Sequence, residues 1–341
     1  MGTSAGSFYI ACGYGDTLGS SDIVLFHVNE NGTMVQDQAV CIGGGPSYLV
    51  SSSAGGKDRS VIYGAMEYAS DIAEIVWDRK EKKIRRERKM HLDGKGPCHL
   101  AVGEHGDMLY CSCYGSGDFF GLDMQRQKVV WKRMISEELS GKTAGEVPHA
   151  HWICPMEDEA LILVDLGKSD VRAFRLDYGI PGRELCRFEA GAGQGPRQFL
   201  PFQSHTRAVI INELGNSFSV WELNAGRKQW MPEKIYMRKT TEQKVKNWPG
   251  GACIWRDRIL FVGNRGADTI AAFDLEKDGR MIGEWELGGS WPRYILAKEQ
   301  GQLFVALQKS GEIVSMKWDG SRLSECGRLA LPGAACMLEL S

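Results

Sequence analysis

The chain has 341 residues, of which 41 are lysine or arginine and 43 are aspartate or glutamate, so its net charge at pH 7 is only -2. A chain this close to neutrality has no general attraction for nucleic acid or for an anionic membrane surface, which excludes those partners from the expected functions. No apolar run reaches transmembrane length, and no basic region followed by an apolar core opens the chain, so we expect a cytoplasmic protein.

The predicted elements begin partway through a repeating unit. Residues 8–15 are predicted to form one strand, and residues 22–28 the next. A turn centred on a proline then recurs seven times, at Pro46, Pro97, Pro148, Pro196, Pro249, Pro292 and Pro332. Successive prolines lie between 40 and 53 residues apart. A repeat of this length, with several short strands in each unit, is typical of one blade of a β-propeller.

Six of the repeats contain two further strand signals in a fixed order. A short apolar run rich in β-formers comes first, at residues 61–63, 108–110, 161–164, 209–211, 259–262 and 303–305. A second strand follows and ends at Asp78, Asp123, Asp177, Asn224, Asp274 or Asp319. Asp and Asn suit a hairpin turn because their side chains bond the nearby backbone. Helical periodicity is confined to residues 135–142, so we predict four-stranded antiparallel blades.

The two ends of the chain are predicted to share one blade. The seventh repeat stops after a single strand, residues 334–340, and the N-terminal strands supply the rest. The sequence therefore predicts an all-β, seven-bladed β-propeller that is closed by its N- and C-terminal strands. No linker or shift in composition divides the chain, so residues 1–341 are expected to form a single domain. Closure removes open sheet edges, and we expect a monomer or a weak homo-oligomer.

Two features of the composition are interpreted as structural. The ten cysteines lack paired spacing, and most lie in apolar strands, which is typical of small buried hydrophobes in a reducing compartment. Residues 79–89 hold eight lysines and arginines against two glutamates. A binding surface for a phosphate polymer is one interpretation, but a solvated outer hairpin is favoured because interleaved aromatic residues are missing.

Charged and aromatic residues occupy equivalent places at the ends of the predicted strands. In a propeller, residues that begin the innermost strand and residues that end the second strand can gather at one mouth of the central channel. The first set is Tyr48, His99, His149, His151, Arg197 and Arg293. The second set is Glu67, Tyr114, Asp165, Glu213, Arg265 and Gln308. Charges at the ends of apolar strands are costly unless they are paired or used, so we predict an anion-binding mouth with acid–base groups.

At this point the sequence resembles the lactonase family of seven-bladed propellers, which includes bacterial 6-phosphogluconolactonase and fungal carboxymuconate cyclase. The resemblance covers essentially the whole chain. It rests on the order and spacing of short motifs, namely Gly96-Pro97-Cys98-His99 with Tyr114-Gly115-Ser116-Gly117, Pro148-His149-Ala150-His151 with Asp165-Leu166-Gly167, Gly195-Pro196-Arg197 with Asn212-Glu213-Leu214, Asn264-Arg265-Gly266, and Pro292-Arg293. Three departures are Gln198 and Ala267, where the family has histidines, and Ser112-Cys113-Tyr114-Gly115 in place of Ala-Asn-Tyr-Gly.

The resemblance implies an enzyme of carbohydrate metabolism that acts on a small anionic lactone or sugar acid without a cofactor. The implied catalytic residues are His149, His151, Arg197, Glu213 and Arg265. The other charged, polar and aromatic residues of the predicted mouth are expected to bind substrate, namely Glu67, His99, Tyr114, Asp165, Arg293 and Gln308. His149, His151 and Glu213 are plausible metal ligands, but the resemblance implies no metal and the nearby arginines would repel one.

The predicted function is hydrolysis of a sugar-acid lactone of the kind that 6-phosphogluconolactonase opens. Arg197 and Arg265 would hold the anionic group, and Glu213 or a neutral histidine would take a proton from the attacking water. The alternatives are a lactone-forming cycloisomerase of the carboxymuconate type and a non-catalytic binding scaffold.

The single residues also have structural alternatives. His99 is expected to bond a neighbouring blade, and Glu213 is alternatively only an ion-pair partner. Arg293 either adds to the positive field or bridges Glu67 or Asp165. His149 and His151 alternate on one predicted strand and so face the same side, which favours a functional role for both.

Overall fold

The computed structural model describes residues 7–15, 21–52, 56, 58–134, 147–157, 160–224 and 230–340. The helical prediction for residues 135–142 lies outside these residues. Within them, twenty-eight strands form seven four-stranded antiparallel sheets. This arrangement confirms the predicted all-β, seven-bladed β-propeller. Across the same residues, no helix is long and apolar enough to span a membrane.

The strands belong to two compact units. The middle unit comprises Glu67–Ile72 and Met90–Pro249, and the terminal unit comprises Met1–Met66, Ala73–Lys89 and Gly250–Ser341. Three sheets lie in the middle unit. Their strands are β8 (Pro97–Val102), β9 (Met108–Cys113), β10 (Asp118–Asp123) and β11 (Lys128–Met134); β12 (Ala150–Met156), β13 (Ala160–Asp165), β14 (Asp170–Asp177) and β15 (Ile180–Glu189); and β16 (Pro196–Phe202), β17 (Arg207–Asn212), β18 (Ser217–Glu222) and β19 (Glu233–Lys239).

The other four sheets lie mostly in the terminal unit. Their strands are β1 (Phe8–Gly13), β2 (Ile23–Val28), β3 (Met34–Val40) and β28 (Ala334–Leu340); β4 (Pro46–Ser52), β5 (Arg59–Met66), β6 (Asp71–Asp78) and β7 (Lys83–His91); β20 (Trp248–Trp255), β21 (Ile259–Arg265), β22 (Thr269–Asp274) and β23 (Arg280–Glu286); and β24 (Pro292–Ala297), β25 (Gln302–Leu307), β26 (Glu312–Trp318) and β27 (Leu323–Ala330). A short 3-10 helix, Leu275–Lys277, follows β22.

The closure predicted from the two chain ends is confirmed. The strand order in this sheet is β28-β1-β2-β3, so the C-terminal strand pairs with the N-terminal one. The register places Phe8 opposite Leu340 and Cys12 opposite Cys336. In the terminal unit β28 also packs against both β24 and β4. The last strand of the chain is therefore an interior part of its unit.

Aspartates that end the third strand of several sheets make the turns that the sequence predicts. Asp78 Oδ1 accepts the backbone N–H of Lys80 and of Glu81, at 3.1 Å in both cases. Asp123 Oδ1 accepts the N–H of Arg126 at 2.8 Å. Such bonds compete with continuation of the strand, so the chain reverses at these residues. Most residues of the fourth strands are exposed or half-buried. The turn before β7 and β7 itself present most of the basic run of residues 79–89 to solvent, as the solvated-hairpin interpretation predicts.

A β-bulge recurs at the start of the first strand in several sheets. In β16, Pro196 pairs with Asn212 and Gln198 pairs with Ile211, so Arg197 stands outside the ladder. We call the residue at this place the entry bulge. The equivalent residues in β4, β8, β12 and β24 are Ser47, Cys98, His151 and Arg293. A bulge redirects the side chain that it carries, so these residues differ in orientation from their strand neighbours.

Apolar packing fixes the first strands of the middle unit. Strand β12 packs against both β8 and β16. Ile162, Phe199 and Trp221 belong to one fully or nearly fully buried cluster, and Leu163 and Phe174 belong to another. Burying each of these large side chains contributes about 1.5–3 kcal/mol. The entry bulges at His151 and Arg197 therefore lie on neighbouring strands that have little freedom to shift.

Candidate active site

Arg197 joins two other predicted site residues in the middle unit. Its Nη1 lies 2.5 Å from His151 Nε2 and 2.7 Å from Glu213 Oε2. The arginine and glutamate side chains are only 8% and 16% exposed. A charge-assisted pair this short and this shielded is much stronger than a surface ion pair. The structure therefore brings together a guanidinium, an imidazole and a carboxylate.

The strand frame explains why these three residues meet. His151 and Arg197 are the entry bulges of β12 and β16, which pack together. Glu213 directly follows β17, whose last residue, Asn212, pairs with Pro196. The backbone N–H of Glu213 donates to the carbonyl of Gly195 at 2.8 Å. The backbone of Glu213 is thus held beside the start of β16, the strand that carries Arg197.

The contact with Arg197 fixes the proton on His151. A guanidinium has only N–H donors, so Nε2 of His151 must accept the hydrogen bond. The neutral ring then carries its proton on Nδ1. The His151 ring also meets the Tyr114 ring edge-on, with centroids 5.7 Å apart and planes at 81°. His151 is therefore held from two directions.

His149 is held in the same tautomer as His151, by a different partner. Its ring stacks on Tyr114, with centroids 4.4 Å apart and planes at 14°. Its Nδ1 lies 3.0 Å from the carbonyl oxygen of Tyr114, which can only accept, so Nδ1 carries the proton. In the neutral ring Nε2 therefore bears the lone pair. His149 is therefore a partly buried imidazole, and its hydrogen bond to Tyr114 leaves Nε2 as the nitrogen that can accept a proton.

The relation between the two histidines differs from the predicted one. Strand β12 begins at Ala150, so His149 lies just before the strand, and His151 is its entry bulge. The prediction that both alternate on one regular strand was therefore wrong in detail. Both rings nevertheless lie against the same tyrosine, Tyr114.

Asp165 holds the backbone of His149 in place. Its Oδ1 accepts the backbone N–H of His149 at 2.8 Å and that of Lys168 at 3.1 Å. The residue is only 2% exposed, and burial raises the pKa of its carboxyl. It pairs with Ala150, as Asn212 pairs with Pro196, so it lies one position earlier in its strand than Glu213 does. The geometry gives Asp165 a positioning role.

His99 matches its structural alternative. It follows the entry bulge Cys98, is 4% exposed, and stacks on Trp152 with ring centroids 3.5 Å apart. Its Nδ1 accepts the backbone N–H of Ile153 at 3.3 Å. Burial, followed by the charge of Arg197, holds the pKa of His99 well below its usual value. The ring is thus a neutral link between β8 and β12.

Glu67 is half-buried and directly follows β5. Burial and the negative charge of Glu67 raise the pKa of the Cys98 thiol to about 12, while the positive charge of Arg197 lowers it. Cys98 is therefore an unreactive thiol within the fields of two predicted site residues.

Three predicted residues lie in the terminal unit. Arg265 ends β21, is 4% exposed, and has its guanidinium carbon 5.4 Å from the centre of the Trp291 ring. Arg293 is the entry bulge of β24 and lies 3.4 Å from Gln308 Oε1. Its guanidinium is also 5.1 Å from the centre of the Tyr14 ring. These contacts place Arg265 beside Trp291, and Arg293 beside Gln308 and Tyr14, within that unit.

Comparison with known proteins decides the family. Residues 9–338 match the family described as "Lactonase, 7-bladed beta-propeller". The chain belongs to this lactonase family. A 6-phosphogluconolactonase of Bacillus subtilis (strain 168) is 23% identical to it over 327 residues, which cover 92% of this chain and 90% of that protein.

Solved structures show the same fold at low identity. A putative 6-phosphogluconolactonase from Bacteroides fragilis superposes with a TM-score of 0.83 and 19% identity, over 100% of this chain and 99% of the other. A periplasmic gluconolactonase of Pseudomonas aeruginosa has a TM-score of 0.83 and 15% identity, over 98% and 99% of the two chains. Since both identities are below 20%, these likenesses describe the fold of this lactonase-family member and not its substrate.

Sequence reasoning left Trp291 and Lys309 of the terminal unit out of the candidate site residues, and interpreted Trp291 as packing between blades. Trp291 has a φ of +72°, at the place before the first strand where Gly45, Gly96 and Gly195 have φ between +58° and +67°. A bulky residue in this region is strained, and strain of this kind clusters at functional sites. Lys309 Nζ lies 3.3 Å from the centre of the Trp291 ring. The signal was available, since Trp291-Pro292 replaces the Gly-Pro of three other repeats.

Proposed function

We propose that this lactonase-family chain hydrolyses a sugar-acid lactone that carries an anionic group. The observation that carries the proposal is the contact of one Arg197 nitrogen with both His151 and Glu213, beside a second histidine of defined tautomer. The name of the Bacillus subtilis relative, which is a 6-phosphogluconolactonase, supports a sugar-acid lactone as the substrate class.

His149 is the group best suited to act as the general base. Glu213 and His151 both bond Arg197, which reduces their ability to take a proton. Nε2 of His149 carries the lone pair in the neutral ring and can accept a proton from water as the water attacks the lactone carbonyl. The tetrahedral intermediate then breaks its ring C–O bond, and the departing oxygen recovers the proton from the imidazolium. The product is the open hydroxy acid.

Arg197 supplies the positive charge in this scheme. Nη1 bonds His151 and Glu213, and the guanidinium has three further N–H donors on its other two nitrogens. These donors suit a carboxylate, a phosphate or the developing oxyanion. His151 and Glu213 fix the plane of the guanidinium, which avoids the cost of orienting it during the reaction. The roles predicted for Arg265, Arg293 and Gln308 stay predictions.

Acid release in a pH-stat tests the proposal. We expect the chain to open glucono-lactone, with or without a 6-phosphate, faster than the spontaneous rate. His149→Gln should lower kcat by about a hundredfold or more, because general-base catalysis contributes about 10² to 10⁴. The matched control is His91→Gln, which removes a surface histidine 2.8 Å from Asp71. The control should keep the wild-type rate.

The same protein separates the rival functions. Loss of ultraviolet absorbance from a carboxymuconate, with no lactone opening, would identify the cycloisomerase instead. No turnover of either substrate class by the wild type would leave the binding scaffold as the preferred function. Unchanged rates in both His149→Gln and Glu213→Gln would show that these residues do not catalyse the reaction.

A further inference from the structure

The middle unit contains a cleft that the proposed function does not use. Its volume is about 510 Å³, which is within the range of small-molecule sites. Three segments form it: the turn between β8 and β9, the end of β12, and the hairpin between β14 and β15. Strand β8 begins at Pro97 beside the candidate active site and ends at Val102 beside this cleft. The two places lie at opposite ends of one strand, roughly 17 Å apart.

The floor of the cleft is apolar and rigid. Met108, Tyr110 and Met156 line it and are at most 7% exposed. The Tyr110 hydroxyl donates to the carbonyl of Gly179 at 2.6 Å, which fixes the β14–β15 turn against the floor. Thioethers and aromatic rings are polarisable surfaces that adapt to ligands of different shape. The cleft is therefore preformed.

The rim of the cleft is negatively charged. Glu104, Asp107 and Asp177 contribute three carboxylates, whereas Arg175 contributes one guanidinium and His105 one imidazole. Arg175 Nε lies 3.1 Å from Asp177 Oδ1, so this pair neutralises itself. Burial and the charge of Asp107 both raise the pKa of Tyr110. The negative charge of Asp107 therefore acts on the floor of the cleft. A net charge of about two negative units thus faces an apolar base.

An exposed aromatic ring completes the cleft wall. Tyr178 is 103% exposed and lies at the tip of the β14–β15 hairpin, where its φ is +52°. A fully exposed tyrosine ring beside a cavity is a large apolar surface that a bound ligand can cover. Aromatic faces attract ammonium and guanidinium groups, and the attraction is stronger once the cation is desolvated.

We propose that this cleft is a binding site for a small amphiphilic organic cation. An aromatic or alkyl body would lie on Met108, Tyr110 and Met156. The ammonium group would face Glu104 and Asp107, with the Tyr178 ring beside it. This ligand has the opposite charge to the lactone proposed for the active site, so the two sites are chemically distinct.

Methionine methyl NMR tests the site in the intact chain. 2-Phenylethylammonium is the probe, with 2-phenylethanol and 3-phenylpropanoate as neutral and anionic analogues. We expect the ammonium to shift the methyl signals of Met108 and Met156 in a saturable way. The signals are assigned with Met108→Leu and Met156→Leu. The alcohol should bind several-fold more weakly and the carboxylate not at all, because the three share the phenylethyl body and the carboxylates of the rim attract only the cation.

Charge-neutral variants locate the binding. Glu104→Gln combined with Asp107→Asn should weaken binding of the ammonium roughly tenfold, which is the effect of losing two exposed charge contacts. The control, Glu30→Gln with Glu189→Gln, removes two exposed glutamates outside the cleft and should bind as the wild type does. Thermal unfolding of each variant checks that the fold is kept.

The outcomes are distinct from those of the lactone assay. Equal binding of the alcohol or the carboxylate, no saturable shift with the ammonium, or unchanged affinity in the cleft variant would each overturn the proposal. His149→Gln should retain the cation, and the cleft variant should retain any lactone opening. Failure of one proposal therefore leaves the other standing.

Discussion

Arg197 connects an imidazole and a carboxylate through a single nitrogen, and this makes it the least replaceable side chain in the candidate site. Arg197→Lys keeps the charge but loses the planar set of donors. We expect kcat/KM for the lactone to fall about a hundredfold, which is the usual effect of removing one oriented donor, with little change in thermal stability.

A second arginine provides the control for this prediction. Arg207 Nε lies 2.8 Å from Glu222 Oε2 in the same sheet, and both side chains are about one-third exposed. Arg207→Lys should leave kcat/KM unchanged because a surface pair contributes little. Equal losses in the two variants, or no loss in Arg197→Lys, would contradict the role given to Arg197.

His99 makes stability depend on pH. Its folded pKa lies well below the ordinary value of 6.5 because the ring is buried and faces the charge of Arg197. Below about pH 6.5 the unfolded chain binds a proton at this residue and the folded chain does not, so stability falls as the pH decreases. Between about pH 7 and pH 5 this one group lowers the free energy of unfolding by up to about 2 kcal/mol.

His99→Gln should reduce that loss. Glutamine can still accept the Ile153 N–H but does not titrate. Urea midpoints at the two pH values give the measurement, and the difference between wild type and variant isolates the contribution of His99. An equal decrease in both proteins would show that His99 is protonated in the folded chain.

Residue identities were largely predictable from the sequence, whereas their geometry was not. The ends of the apolar strands indicated Arg197, Glu213, His149 and His151, because a charge is rarely placed there without a partner. The tautomer of each ring depends on its partner, Arg197 for His151 and the Tyr114 carbonyl for His149, and the orientation of His151 depends on its entry bulge. A bulge inserts one residue without changing the alternation of apolar residues around it, so the sequence pattern does not show it.

At the scale of elements, β28 carries an unusual share of the fold. It pairs with β1 and packs against both β24 and β4, and Ala334, Cys336 and Met337 are fully buried in it. Removal of residues 334–341 should abolish cooperative unfolding. The packing and strand pairing lost with β28 would be comparable to the whole free energy of unfolding of a typical protein, which is roughly 5–15 kcal/mol. Circular dichroism during thermal unfolding gives the measurement.

A peptide restores the missing strand in the same experiment. A synthetic segment of residues 331–341 should bind the shortened chain and recover the cooperative transition, since it fills the open edge of β1. A scrambled peptide of the same composition is the control. A shortened chain that resists protease without either peptide would contradict the importance given to β28.

The proline turns predicted the existence and order of the strands, but the predicted start of two strands was displaced by two residues. Six apolar runs lie within β5, β9, β13, β17, β21 and β25, as expected. In β12 and β28, however, the proline lies two residues before the strand, so Ala150 and Ala334 occupy the place that Pro97 and Pro196 hold elsewhere. Alanine is compatible with a strand start but gives no signal, and counting from the proline therefore misaligned His149.

At the scale of the whole molecule, the single domain spanning residues 1–341 stays a prediction. Sheet-to-sheet packing within each of the two compact units is apolar, and both chain ends belong to the terminal unit. We expect one calorimetric transition whose van't Hoff enthalpy equals the measured enthalpy. Two separate transitions would show that the units unfold independently. The cytoplasmic location and the weak or absent self-association also stay predictions.

The entry bulge has a consequence for how such a chain can be re-engineered. Because that residue takes no part in the hydrogen-bond ladder, its side chain can be exchanged while the strands keep their alignment. Serine, cysteine, histidine and arginine already stand there in one molecule, at Ser47, Cys98, His151 and Arg197. A new reactive side chain could thus be introduced in one blade at a time, while the strands of the propeller stay unchanged.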